Sequence, residues 1–178
     1  MSVTLRIPEH ALVVLVGAAG SGKTAFARKH FKPTEIVASD FCRGLVAGDE
    51  NDQSATADAF ALLHIIVAKR LARGRLTVVD ATNVQADARR PLLKLAEEFR
   101  APAVAIVLNA PQEVCLEHNA GRLDRTVEAR VVQQQFEDLQ RALPRLAKEG
   151  FERVYLLSSP EEADAAVLVR EEKLEKGK

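Results

Sequence analysis

Eight consecutive residues, Gly17-Ala18-Ala19-Gly20-Ser21-Gly22-Lys23-Thr24, carry phosphate-binding chemistry in their types and spacing. They fit the pattern G-x-x-x-x-G-K-[ST] with no mismatch. The glycines let the backbone turn tightly and come close to phosphate oxygens. Backbone N–H groups of the loop and of the following helix start then point at the anion. Lys23 is placed to reach the β- and γ-phosphates of a nucleoside triphosphate, and Thr24 to set its hydroxyl on Mg²⁺. The context agrees: the apolar run Leu12 to Val16 precedes the loop and a helical pattern, Ala25 to Phe31, follows it.

Other candidates lie just after apolar runs, where ligands of parallel sheets bind. Asp40 and Arg43 follow the run Glu35 to Ala38. If Ser39 caps a short helix, the two share a face. The carboxylate can then orient an acceptor hydroxyl, and the guanidinium can clamp an acceptor phosphate with two parallel bonds. A surface i,i+3 ion pair is the competing reading. Asp80 ends the run Leu76 to Val79 as a Walker-B acid does, to bind Mg²⁺ through water or to touch the acceptor. Thr82 and Asn83 are equally good helix caps, which leaves Asp80 for that role. Arg122 and Arg125 sit in a segment between two helical patterns and can close over the triphosphate as a lid. Arg89, Arg90 and Lys94 share one helix and read as a solvated face, with tracking of a nucleic-acid backbone as the competing reading. His64 falls in an apolar stripe and reads as structural, and Cys42 as a small packed residue. Asp80-Ala81-Thr82-Asn83 lacks a switch-loop glycine, and no Asn-Lys-x-Asp segment occurs, which disfavours a GTPase.

The elements that must position these groups alternate. Five strand-like runs, Leu12 to Val16, Glu35 to Ala38, Leu76 to Val79, Ala103 to Leu108 and Arg153 to Leu157, are separated by helical patterns. Those patterns are Ser54 to Arg73, Ala86 to Phe99, Pro111 to Asn119 and Val127 to Lys148, the last interrupted at Pro144. Alternation predicts an α/β fold with a parallel sheet covered on both faces. A short leading strand over Val3 to Ile7 is also expected.

The chain has 178 residues, 47% hydrophobic and 28% charged, enough for one domain with a full core. Residues 1–170 are read as that domain and 171–178 as a charged tail or linker start. Twenty-five basic residues balance twenty-five acidic ones, so a polyanion site must be a local patch. Two distant cysteines, Cys42 and Cys115, read as reduced thiols in a cytoplasmic protein. No run is long enough to span a membrane.

Taken together, the chain resembles the polynucleotide 5′-kinase domain of bacterial RNA-repair kinase-phosphatases. The likeness is carried by Gly17 to Thr24, by Ser39 to Val46, by Asp49-Glu50-Asn51-Asp52-Gln53-Ser54-Ala55-Thr56, by Leu76 to Val84, and by Arg122 to Arg125. It implies a P-loop kinase fold with a five-stranded parallel sheet, order 2-3-1-4-5, and a helical lid. It implies transfer of the γ-phosphate of ATP or another NTP, with Mg²⁺, to a 5′-hydroxyl end of RNA or DNA. On that likeness Lys23 and Thr24 hold the triphosphate and Mg²⁺, and Asp40 engages the 5′-hydroxyl. Arg43 holds the acceptor phosphate, and Arg122 and Arg125 belong to the lid. His118 stands where a further arginine is expected. The family joins this module to phosphatase and ligase modules, which are expected partners in a parent protein, and an apolar patch could support a homodimer. Two other functions fit the residues: a kinase for a small metabolite hydroxyl, and a regulatory NTP-binding module.

Overall fold

The computed structural model describes residues 2–124 and 127–172. The chain opens on β1 (Thr4–Pro8), β2 (Leu12–Val16) and α1 (Lys23–His30). A 3₁₀ turn, Pro33–Glu35, leads into β3 (Ile36–Ala38), α2 (Ser39–Ala47) and α3 (Thr56–Ala72). Next come β4 (Thr77–Asp80), α4 (Ala86–Glu98), β5 (Ala103–Leu108) and α5 (Gln112–Ala120). The chain then forms α6 (Ala129–Leu146), β6 (Arg153–Leu157), α7 (Pro160–Ala165) and β7 (Val167–Glu171).

β2 to β6 form one parallel sheet in the order β3-β4-β2-β5-β6. This is the expected order 2-3-1-4-5. The central strands are buried along their whole length, because helices cover both faces. Strand alternation divides the core into two layers. Leu12, Val14 and Val16 pack with Leu63, Leu92 and Leu139 on one face. Val13 and Leu15 pack with Phe26, Leu5 and Ile7 on the other. The chain leaves β2 for β3 and β4 on one side and crosses to β5 and β6 on the other. The carboxyl end of β2 therefore opens onto a crevice, the place where such sheets bind ligands.

Several boundaries differ from expectation. The leading strand exists as β1 but stays outside the main sheet. It pairs in parallel with β7, in a register that sets Thr4 against Val167. β7 opens on a short apolar run, Val167-Leu168-Val169, that the sequence reading did not single out as a strand. Residues 173–178 of the predicted tail lie outside the described residues. α6 continues through Pro144, which gives up its own N–H bond to the fourth carbonyl back while the helix ends two residues later, at Leu146. Ser39 is the first residue of α2 and makes no cap bond; Ala38 occupies the cap position.

The small sheet is tied to the main one by an ion pair. Arg170 on β7 donates from both terminal nitrogens to Glu35, at 2.6 and 2.7 Å. Burial raises the Glu35 carboxyl pKa, but the Arg170 bonds, the Lys32 backbone N–H and nearby positive charge outweigh it and hold the carboxyl below its ordinary range. Arg170→Met leaves that buried carboxylate without its guanidinium. The expected loss is about 2 kcal/mol of stability, read from urea unfolding at neutral pH. The loss should shrink as pH falls through the depressed Glu35 pKa, where protonation removes the pair's contribution in the parent protein.

Candidate active site

The eight-residue loop joins β2 to α1 as predicted. Gly22 is the residue before α1 and has φ 93°, a left-handed conformation that excludes most side chains. Gly20 is constrained by space as well: a Cβ there would sit 2.1 Å from the Cys115 carbonyl oxygen of α5. The loop is braced from outside. Gly17 N–H donates to Thr82 O at 2.9 Å, and Ala19 N–H donates to Gln135 Oε1 of α6 at 2.9 Å. His118 Nδ1 lies 3.1 Å from Gly20 O. Gln135 was not singled out by the sequence; its one signal is a polar Gln133-Gln134-Gln135 run inside an amphipathic helix.

Lys23 is buried in the loop. Its Nζ donates to Ala18 O at 2.8 Å and lies 3.4 Å from Ser21 Oγ. Burial lowers its pKa to about 8, against partial compensation from Asp80, Cys115 and Asp40 and with a further push down from Arg122. The same causes place Asp80, Asp40 and Arg122 within electrostatic reach of Lys23, so four predicted site residues converge.

Thr24 Oγ1 donates to Asp80 Oδ2 at 2.8 Å. A hydroxyl and a carboxylate meeting beside a phosphate loop are the hard oxygen donors that Mg²⁺ takes, together with phosphate oxygens and waters. Among the described residues there is no cluster of three or more His, Cys, Asp or Glu that could hold a metal alone. The residues present thus fit an ion bound jointly by protein and nucleotide.

The turn after Asp80 is held by a network that the sequence did not reveal. Asn83 is buried at φ 50°, a conformation asparagine tolerates better than most residues. Its Nδ2 donates to Leu15 O at 2.8 Å, and its carbonyl accepts from Arg89 Nη1 at 2.9 Å. Arg89 also donates from Nε and Nη2 to Glu149, both at 2.7 Å. Arg89 is only 2% exposed, which corrects its assignment to a solvated face. It shares the inward face of α4 with Leu92 and Ala96, whereas Arg90 points outward and pairs with Asp87 at 2.7 Å.

On the other side of the crevice, α2 brings Asp40 and Arg43 together as predicted. Arg43 Nη1 donates to Asp40 Oδ1 at 2.7 Å and to Glu50 O at 3.2 Å. Its Nη2 lies 3.5 Å from Thr56 Oγ1. Arg43 is buried, and its Nε has no hydrogen-bond partner among the described residues. Arg122 is half-buried and faces Asp124, with Nη2 to Oδ2 at 3.3 Å. Arg125 lies outside the described residues. His64 stacks loosely on Phe60, and Cys42 is fully buried with its thiol pKa pushed up by burial, so both are packing residues.

The depressed Lys23 pKa has a thermodynamic signature. The folded state releases this proton near pH 8, and the unfolded chain near the ordinary 10.5. The unfolded state therefore binds more protons between those values, and stability should rise with pH across that window. Triphosphate binding favours the charged lysine. At pH 9, calorimetry in buffers of different ionisation enthalpy should show proton uptake on ATP binding. The uptake should be absent in Lys23→Met. Equal uptake in both proteins would remove Lys23 as its source.

Residues 12–146 match the family model described as AAA domain (AAA_33). No curated protein sequence matches the chain significantly. Solved structures share its fold at low identity. A chain of the Pnkp1/Rnl/Hen1 RNA repair complex aligns with TM-score 0.65 and 20% identity, over 79% of this chain and 46% of that one. This chain thus spans about half the length of that relative. Shikimate kinase from Acinetobacter baumannii, in complex with shikimate, aligns with TM-score 0.52 and 20% identity, over 86% and 87%. The Mycobacterium tuberculosis APS kinase CysC, in complex with AMPPNP and APS, aligns with TM-score 0.52 and 15% identity, over 89% and 94%. With its P-loop at the end of β2 and its overall fold similar to those of solved kinases, the chain belongs to the AAA_33 family of AAA domains and has a P-loop kinase fold.

Proposed function

We propose that the chain is a phosphotransferase that moves the γ-phosphate of ATP or another NTP to the 5′-hydroxyl end of RNA or DNA, in RNA repair. The observation that carries this reading is the Asp40–Arg43 ion pair on α2, with Asp40 within electrostatic reach of Lys23 in the P-loop. An acceptor that presents both a hydroxyl and a phosphate matches a carboxylate beside a guanidinium. The Asp49 to Thr56 segment, part of the sequence resemblance, supports Arg43 through Glu50 O and Thr56 Oγ1.

In this reading Asp40 orients the acceptor hydroxyl toward the γ-phosphorus. A bond forms from the hydroxyl oxygen to phosphorus as the bond to the β–γ bridging oxygen breaks. The hydroxyl proton passes to Asp40 and on to water, and the nucleoside diphosphate leaves. Lys23 and the loop N–H groups hold the triphosphate, and Arg122, joined by Arg125, neutralises charge on the transferring group. Mg²⁺, held by Thr24 and Asp80 with the phosphates, would neutralise charge on the bridging oxygens.

A second reading, a kinase of a small metabolite hydroxyl, has its own support. Two small-molecule kinases align over 86% and 89% of this chain. One assay separates the readings: transfer of labelled γ-phosphate from ATP to a 5′-hydroxyl oligonucleotide or to simple sugars. The polynucleotide reading predicts label on the oligonucleotide. It also predicts that Asp40→Asn lowers the transfer rate by about a hundredfold or more while ATP affinity holds. Label on a sugar with none on RNA or DNA would establish the second reading. ATP binding with no transfer to any acceptor would point to a regulatory module.

A further inference from the structure

A second cationic site lies at the opposite end of the sheet from the P-loop. It is an open cleft of about 700 Å³, at the amino ends of β3 and β4. Six cations line it: Lys32, Lys69, Arg70, Arg73, Arg75 and Arg170. The lining carboxylates are Glu9 and Glu35, and Glu35 is already paired with Arg170. Arg70 is committed to the fold, with Nη2 donating to Leu76 O at 2.7 Å. Lys32, Lys69, Arg73 and Arg75 are exposed and have no ion-pair partner among the described residues. The helix dipole accounts for Lys69 and Arg70 at the carboxyl end of α3. It does not account for Lys32, Arg75 or Arg170, which arrive from other elements. In a chain with a net charge of zero, this convergence is the local patch a polyanion needs.

The cleft is connected to the acceptor side of the active site by α3. Thr56, at the start of that helix, contacts Arg43; Lys69 and Arg70, in its last turn, line the cleft. The helix has 17 residues and so spans about 25 Å. The exposed Ile65 lies between, at the rim of the cleft, and offers an apolar surface to a base ring.

We infer that this cleft holds the phosphodiester backbone of the acceptor strand downstream of its reacting end. The inference rests on the polynucleotide reading above. A strand that leaves Arg43 along α3 meets the unpaired cations at the far end, where each can neutralise one phosphate. An acidic protein segment would find the charges but has no use for the path back to the acceptor site.

The test is fluorescence anisotropy with single-stranded RNA that already carries a 5′-phosphate and so cannot accept another. A trinucleotide and a dodecamer are titrated at salt concentrations between about 50 and 200 mM. The dodecamer should bind more tightly and with the steeper salt dependence. R73E/R75E should weaken dodecamer binding by about tenfold and flatten its log–log salt slope by about 1.4, at roughly 0.7 per lost phosphate contact. Trinucleotide phosphorylation should stay at the parent rate, because both residues are remote from the P-loop. R73Q/R75Q, which adds no negative charge, should give a smaller loss in the same direction. Unchanged dodecamer affinity and slope in both variants, each folded by circular dichroism, would overturn the inference. So would an equal loss for a poly-glutamate peptide that binds the parent protein as tightly as the dodecamer does. Failure of the parent protein to phosphorylate any 5′-hydroxyl strand would instead sink the kinase reading, since the binding measurement requires no transfer.

Discussion

Everything at the catalytic rim follows from keeping one lysine out of water. Desolvating an ammonium costs several kcal/mol unless partners repay it. Lys23 has the Ala18 carbonyl as its direct partner, and Asp80 and Asp40 as its nearby negative charges. That arrangement requires three strand ends to lie level. The register provides it: Ala38 pairs with Asp80 across β3 and β4, and β4 pairs directly with β2. Asp40 then stands two residues beyond Ala38, on the first turn of α2. The compensation is incomplete, as the lowered Lys23 pKa records. What remains uncompensated is a demand for further negative charge at this position.

Such a site must not relax toward its own charges. If the Asp80 turn could move, its carboxylate would close on Lys23 and occupy the place of the phosphate. The structure resists this by bonding the turn on both sides. Thr82 O receives the Gly17 N–H, Asn83 Nδ2 binds Leu15 O, and Arg89 binds Asn83 O from the other direction. Arg89 is itself fixed by two bonds to Glu149. A buried ion pair contributes little net stability of its own, yet removing one partner is expensive. Here it serves to fix a backbone carbonyl three residues from the Asp80 carboxylate.

How much of this the sequence showed depends on the range of each interaction. The P-loop was legible because its residues are contiguous and its glycines answer to local backbone needs, as at Gly22. Asp40 and Arg43 were legible as a pair because one helical turn sets their spacing. The alternation of apolar runs predicted a parallel sheet, and the family resemblance implied its strand order. The Asn83–Arg89–Glu149 network was not legible, since Glu149 is 60 positions from Arg89 and a surface arginine has the same letter as a buried one. Gln135 was missed for the same reason: it meets Ala19 across 116 positions. The β1–β7 pairing joins chain ends that carry no mutual signal, and β7 alternates weakly because most of it stays partly exposed.

The two halves of the crevice also differ in kind. The donor half consists of backbone N–H groups, one lysine, one hydroxyl and one carboxylate, and its geometry is imposed by the strand-loop-helix path itself. A fold shared with kinases of shikimate and APS therefore speaks to the donor half alone. The acceptor half is built from α2 and the segment that follows it, where side chains are set without constraint from the loop. Arg43 there is buried, bonded to Asp40, to a backbone carbonyl and to a threonine, so its direction is fixed before any acceptor arrives. On the function proposed above, a guanidinium held in that way would meet an oxyanion at a set distance from the hydroxyl that Asp40 would orient. On that proposal the end of a nucleic-acid strand, which carries a hydroxyl and a phosphate separated by one ribose, is the acceptor whose groups match the pair.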